Sequence, residues 1–321
     1  MADIEKLVLK PGVVTPFLSN FSISNDGASF QFTTLDMSSK NIEALNKTIE
    51  EGKEVYNCNL ANNNIADPSA LKELQNLQRL DLGRNKVRNV AIFLAEENFL
   101  NLKYLDLSNN KMTEFSPFLL PKLEYLDISG NKLEKVNEAW AGHPSLKILK
   151  SVDNKFKSMA PFKNMPKLEE LYLANNSITS LTGFDGLPAL RKLHLRHNKI
   201  EKIEEEGVPE LPALEYLNLR TNKIAAMEDV VRIINHPGFP SLKMINFLNC
   251  PIELSYSSMN MFIADVLFKN PAITRFCKVD VTDKHKLEAV HLAKYKWGKS
   301  EEERLRLEEE ERKKAEAEGE G

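Results

Sequence analysis

Apolar side chains recur along most of this chain with two rhythms that alternate. The first is a tight pair, Leu-x-Leu, approached by another leucine three residues upstream and followed three residues later by asparagine. It is clearest in Leu168-Glu-Glu-Leu171-Tyr-Leu173-Ala-Asn-Asn176-Ser-Ile178. The same pattern returns in Leu190-Arg-Lys-Leu193-His-Leu195-Arg-His-Asn198-Lys-Ile200, and again in Leu214-Glu-Tyr-Leu217-Asn-Leu219-Arg-Thr-Asn222-Lys-Ile224. The asparagine recurs after 22 and then 24 residues. In Leu-x-Leu the two leucines share one face of a strand and the residue between them points the other way. The turn that follows is buried, so its backbone N–H and C=O groups need partners, and an asparagine amide carries both donors and an acceptor. The second rhythm has a period of three. Phe156, Met159, Phe162, Met165 and Leu168 form one such run, and Ile178, Leu181, Phe184, Leu187 and Leu190 another. It suits short turns of 3₁₀ type.

LxxLxLxxNxI at this period is the signature of a leucine-rich repeat. One repeat cannot bury its own apolar face, so neighbours must stack. The fold expected is an α/β leucine-rich-repeat solenoid of about ten repeats, with a parallel concave sheet and convex 3₁₀ or helical turns. A C-terminal helical cap and a charged helical tail should complete it. The boundaries expected are an N-terminal arm or cap over 1–31, the solenoid over 32–254, the cap over 255–297 and the tail over 298–321.

Some repeats depart from the rule. The first has Phe32, Leu35, Met37 and Ile42 in place but Lys40 where asparagine belongs. In the second, Cys58 takes a leucine position and reads as a core filler. The sixth keeps Leu146, Leu149 and Asn154 but has Ser151 for the last strand leucine. The tenth runs Leu242, Ile245, Phe247, Cys250, Ile252, with cysteine at the asparagine position, an accepted variant. Two repeats are longer, and Val90 to Phe99 and Ala226 to Asn235 have room for a helix.

At the N-terminus, Leu7-Val8-Leu9 and Phe30-Gln-Phe32 could be strands covering the first repeat, and residues 1–20 read either as a cap or as an arm to a partner. Beyond Ile252, residues 257–268 look helical, and Asn270-Pro271 ends that helix. Ile273 to Phe276 is a short extended piece, and Thr282 can cap a helix running through Leu287, Val290, His291, Lys294 and Trp297. Ser300-Glu-Glu-Glu303 restarts a helix as a capping box. From Lys299 on there are ten Glu against six Lys or Arg, so this tail carries −4. It reads either as a solvated helix or as one docked on a partner.

Composition narrows the function classes. With 46 acidic and 43 basic residues the net charge is −3, which argues against a general nucleic-acid coat. No apolar run approaches a membrane span, and Met1-Ala-Asp-Ile-Glu has acids where a signal peptide would have bases. Cys58, Cys250 and Cys277 lie far apart with no CxxC pair, as expected of reduced thiols in a cytosolic compartment.

The residues pointing out of the strands can be read off the motif. Just before the second core residue come Thr34, Asn57, Arg79, Tyr104, Tyr125, Ile148, Glu170, Lys192, Tyr216 and Met244. Between the second and third core residues come Asp36, Asn59, Asp81, Asp106, Asp127, Lys150, Tyr172, His194, Asn218 and Asn246, and the next row adds Arg196 and Arg220. Acids line one half of this wall and bases the other. Aromatics among dispersed charges suit a protein interface. The candidate partner-binding residues are Arg79, Tyr104, Asp106, Tyr125, Asp127, Lys150, Tyr172, Lys192, His194, Arg196, Tyr216 and Arg220. The bland alternative for the aspartates is solvation alone. No catalytic residue, metal site or cofactor is expected. The aspartates lack a partner acid of distinct environment, and His194 and His197 should point to different sides. Phosphate-binding glycine loops and GxSxG elbows do not occur. The partners expected are proteins, without nucleic acid, membrane or small-molecule substrate.

Residues 32–297 resemble the SDS22-like class of leucine-rich repeats in repeat length, convex rhythm and closing cap. The cap positions are Asn270-Pro271, Arg275-Phe276, Val281-Thr282 and Ala289, with Cys277 where an aspartate would be usual. Within that class, the text of residues 166–235 is most similar to the leucine-rich-repeat proteins of ciliary radial spokes, and the Glu/Arg-rich tail is similar too. The resemblance implies a non-catalytic scaffold of the motile-cilium axoneme, in the cytoskeleton of the cytoplasm and flagellum, bound to other radial-spoke subunits. Other members of the class imply a regulatory subunit of a protein phosphatase, an axonemal dynein light chain or a spliceosomal subunit.

Overall fold

The computed structural model describes residues 7–8, 12, 14–23, 30–95, 97–118, 120–137 and 139–292. Its centre is one thirteen-stranded sheet. The first repeat's strand, Phe30–Asp36, is followed by nine parallel strands of three residues each, in chain order from Asn57–Asn59 to Met244–Asn246. Pairing is in register throughout: Leu35, Cys58, Leu80, Leu105, Leu126, Leu149, Leu171, Leu193, Leu217 and Ile245 stand opposite one another. All ten are buried. The chain is therefore the leucine-rich-repeat solenoid that the spacing predicts.

The asparagines form a ladder along this stack. Asn131 is typical. Its Nδ2 donates to Leu107 O of the preceding repeat and to Ile128 O of its own, each at 3.0 Å. Its Oδ1 accepts from Met112 N–H, also of the preceding repeat, at 3.0 Å. Asn63, Asn85, Asn110, Asn154, Asn176, Asn198 and Asn222 bond in the same way. Each one thus satisfies buried backbone groups that no strand pairing reaches. In the sixth repeat the hydroxyl of Ser151, which is wholly buried, accepts from Asn154. Cys250 ends the ladder, its Sγ donating to Leu219 O at 3.2 Å. At the other end Lys40 is exposed, and its N–H is received by Asn63.

Both runs of period three are buried on the convex side. They fold as single turns closed by bonds such as Phe162 N–H to Met159 O and Leu190 N–H to Leu187 O. Continuous 3₁₀ helix occurs earlier, at Lys47–Gly52, Ser69–Glu73 and Ala91–Phe93. Of the two long repeats, one holds a helix, α1 (Met227–Ile234). In the other, the described residues of Val90 to Phe99 contain only the turn Ala91–Phe93 and no α-helix. Phe93 and Phe99 both enter the core, ring centres 5.4 Å apart. Residues six apart in an α-helix lie about 120° apart around its axis, so a helix would have turned one of these rings outward.

At the N-terminal edge, Leu18–Ile23 runs antiparallel to Phe30–Asp36. The segment before it is held down by Glu51, which accepts from Gly12 N–H and the Thr15 hydroxyl. Leu7–Val8 pairs with Ile42–Ala44, outside the main sheet. At the C-terminal edge comes a second helix, α2 (Met259–Lys269), capped by Ser258. Arg275–Phe276 then joins the sheet beside Met244–Asn246, and Val279–Asp280 folds back on it. Cys277 is buried there and its Sγ accepts from Phe247 N–H at 3.3 Å. Residues 283–292 are helical, with His285 Nδ1 reaching back to Thr282 N–H at 3.1 Å. The readings for residues 293–321, Lys294, Trp297 and the capping box at Ser300 included, lie outside the described residues.

Candidate functional site

In-register parallel strands bring equivalent side chains about 4.8 Å apart, close to the spacing of stacked rings. The outward residues of this sheet exploit that. The Arg79 guanidinium lies 3.4 Å from the centre of the Tyr104 ring. Tyr104 and Tyr125 stack at 4.2 Å, 6° from parallel. Lys150 Nζ stands 5.1 Å from the Tyr125 ring and 5.6 Å from Tyr172. Tyr172 stacks on His194 at 4.4 Å, and His194 meets Tyr216 edge-on at 5.1 Å. Seven residues from seven successive strands thus form one unbroken file of rings and cations across the concave face. It changes row at Lys150 and again at Tyr216.

The acidic row lies beside the first part of that file. Asp81, Asp106 and Asp127 face one another on adjacent strands. Each caps its own turn through Oδ1, which accepts from Gly83, Ser108 and Ser129 N–H at 2.9, 2.8 and 2.9 Å. One oxygen of each aspartate is therefore structural. Burial, reinforced by the charge of Asp106, pushes the carboxyls of Asp81 and Asp127 above the usual range. Tyr125 donates to Asp127 Oδ2 at 3.4 Å, and burial pushes its phenol up to about 12.

The basic half is less free than its residue types suggest. Lys192 Nζ pairs with Glu170 at 2.7 Å, and Tyr172 donates to the other oxygen of the same carboxylate. Those two bonds hold Glu170 below the usual carboxylate range. Burial lowers the His194 pKa, which favours the neutral imidazole in the stack. Arg196 and Arg220 lie in the turns after their strands. Arg196 shares a contact of 3.0 Å with His197, while Arg220 Nε is buried and has no hydrogen-bond partner. His194 lies on the strand and His197 in the turn after it, at positive φ.

Arg275 and Lys278 belong to this face as well, although the motif does not reach them. Arg275 stands opposite Met244 in the sheet. With Lys192, His194, Tyr216 and Asn246 they line a hollow of about 500 Å³ at the C-terminal end of the wall. The signal was present in Thr274-Arg275-Phe276, where polar and apolar residues go on alternating past the last repeat. Among the described residues no group of three or more His, Cys, Asp or Glu could hold a metal ion. No described helix is long and apolar enough to cross a membrane.

Comparison with known proteins agrees with the repeat geometry. A family model described as leucine rich repeat matches residues 158–200, and one described as leucine rich repeats in two copies matches 100–140 and 188–231. No curated protein sequence matches the chain. Among solved structures, the chain resembles a complex of TLR13 with ssRNA13, with a TM-score of 0.60 and 21% identity over 76% of this chain and 38% of that one. It is similar to the functional domain of InlJ from Listeria monocytogenes, with a TM-score of 0.52 and 20% identity over 80% of this chain and 57% of that one. The APL1 leucine-rich repeat domain has a TM-score of 0.51 and 18% identity over 69% of this chain and 62% of that one. The chain therefore spans less than two thirds of each, and the likeness concerns the fold.

Proposed function

We propose that this leucine-rich-repeat protein is a non-catalytic scaffold that grips a partner polypeptide along its concave sheet, and that it does so in a radial spoke of the motile-cilium axoneme. The observation that carries the binding reading is the file from Arg79 to Tyr216. Its rings are held by their neighbours before any partner arrives, so little side-chain freedom is lost on binding. Tyrosine and arginine are also the residues on which interface energy concentrates. Leucine-rich-repeat domains commonly serve as protein-binding modules, and the concave wall is the face that this chain equips for it.

The ciliary setting rests only on the resemblance that the repeat motifs of residues 166–235 bear to radial-spoke proteins, and the comparisons with known proteins support the repeat fold alone. A phosphatase-regulating role is the second reading, favoured by the acidic and aromatic stretch around Asp106, Tyr125 and Asp127. Affinity purification of the tagged chain from ciliated and from non-ciliated cells separates the two. The spoke reading expects a large axonemal assembly, retained by the wild type and released by Tyr125→Ala with Tyr216→Ala. Capture of a single phosphatase whose rate the chain alters, in cells with and without cilia alike, would overturn it.

A further inference from the structure

Asn246 has a neighbourhood unlike that of any equivalent residue in the solenoid. It occupies the outward position shared by Asp36, Asn59, Asp81, Asp106, Asp127 and Asn218, and its Oδ1 caps the turn as theirs do, accepting from Leu248 N–H at 3.0 Å. It is 1% exposed, yet its Nδ2 has no hydrogen-bond partner. The Tyr216 phenol lies beside the amide, which favours the ionised phenol, but the pair does not meet the geometry of a full hydrogen bond. Unmade buried donors are rare in folded proteins, and each asks for an explanation.

The second repeat shows what completes such an amide. Asn59 holds the same position, and its Nδ2 donates to a carboxylate oxygen, Asp36 Oδ2, on the adjacent strand at 3.3 Å. Asn246 has no such neighbour. The next strand inward offers Asn218 at that position, and on the other side the chain continues from Phe276 to the buried Cys277. Around it stand cations: Arg275, exposed and 3.3 Å from the more exposed Asp280, and Lys278, which has no ion pair among the described residues. The hollow thus holds an unmet buried donor and one cation, Lys278, without an ion pair among the described residues, and no carboxylate is among its lining residues.

We infer that this hollow receives the carboxylate of an aspartate or glutamate on the bound polypeptide, in the role that Asp36 fills for Asn59. Asn246 Nδ2 donates to one oxygen, Lys278 and Arg275 supply the opposing charge, and the Tyr172 and Tyr216 rings flank the stem. Because Nδ2 is shielded, the long side chains at the rim part to admit the group and close over it. The inference rests on the concave face binding a polypeptide. A phosphate backbone fits less well, because the acidic row from Asp81 to Asp127 lies further along the same wall.

Fluorescence anisotropy on the full chain tests this with labelled hexaglutamate, hexalysine, an uncharged Ser-Gly hexapeptide and a six-base deoxythymidine oligonucleotide. Hexaglutamate should bind, and the other probes should bind at least tenfold more weakly. Lys278→Glu and Arg275→Glu lie on the surface and should each weaken hexaglutamate tenfold or more, whereas Lys72→Glu on the convex side should not. Asn246→Asp should weaken it similarly at unchanged melting temperature. If that variant melts early, Lys278→Glu decides alone. Equal binding of hexaglutamate and the uncharged peptide, or wild-type binding by Lys278→Glu, overturns the inference, and so does tighter binding of the oligonucleotide. Failure here with axonemal capture intact removes only the anchor. Loss of that capture by the wild-type chain removes the proposed function whatever the peptide does.

Discussion

Lys150 stands over the ring of Tyr125 at 5.1 Å and is the point at which the aromatic file crosses from one outward row to the next. Its ammonium serves two rings, since Tyr172 lies on its other side. Such a contact is worth about 0.5–1 kcal/mol where water has access and about 2 kcal/mol when desolvated. Lys150→Met keeps the stem and removes the charge. It should weaken partner capture by roughly three- to tenfold, consistent with about 1 kcal/mol. Thermal stability should stay within about 0.5 kcal/mol of wild type, as for other surface changes. Binding to the captured partner and a urea melt, run side by side, check both halves.

Asn131→Ala removes two donors and an acceptor from a buried turn and leaves Leu107 O, Ile128 O and Met112 N–H without their side-chain partner. Each buried group so orphaned costs about 1–3 kcal/mol, so a total loss of roughly 3–5 kcal/mol is expected. Cys250→Ala gives up a single weak donor bond at the end of the ladder and should cost about 1 kcal/mol. Urea denaturation followed by circular dichroism compares them. Equal losses would mean that the ladder contributes little beyond packing.

Acid should unfold the chain partly through His143. This side chain is 2% exposed, and burial lowers its pKa from 6.5 to about 4. Its Nδ1 accepts from Ser145 and Leu146 N–H, so the folded state needs the neutral ring. The folded pKa lies below the unfolded one, so the contribution is fully present above about pH 6.5 and is lost as pH falls towards 4. At about 1.4 kcal/mol per unit the loss approaches roughly 3 kcal/mol. Denaturation midpoints between pH 7.5 and 4 measure it, and His143→Gln should flatten that part of the curve.

The thiols should be silent in the folded protein. Cys58, Cys250 and Cys277 are all buried and free, and burial raises each pKa, that of Cys277 to about 12. A thiol-titrating disulfide reagent should therefore find almost none at pH 8 and three in denaturant. Rapid reaction of one thiol under native conditions would show that its repeat opens locally.

Much of this was legible from spacing alone, because a parallel repeat leaves little freedom in register. Once Leu171, Leu193 and Leu217 are placed in the core, Tyr172 and His194 must face outward on neighbouring strands. What spacing does not carry is which neighbours then engage. Lys192 read as one of the bases of the wall, yet its charge is taken up by Glu170, a residue 22 positions earlier. The aspartates read as either interface or solvated, and their first engagement is with their own turns. Val90 to Phe99 had the length of a helix, but two phenylalanines six apart needed the same core. Arg275 was legible as part of a cap and not as wall, because it follows a segment in which the motif has stopped.

The asparagine ladder also has a direction. Asn63 completes groups of the repeat before it, Asn85 those of Asn63's repeat, and so on to Cys250. A repeat leaving the ribosome therefore remains unfinished until the next one has followed it out, and folding during synthesis must lag one turn behind translation. A stop anywhere before Cys250 would leave an open turn at the growing end. The cysteine, which donates backward and carries no amide oxygen, lets the series end.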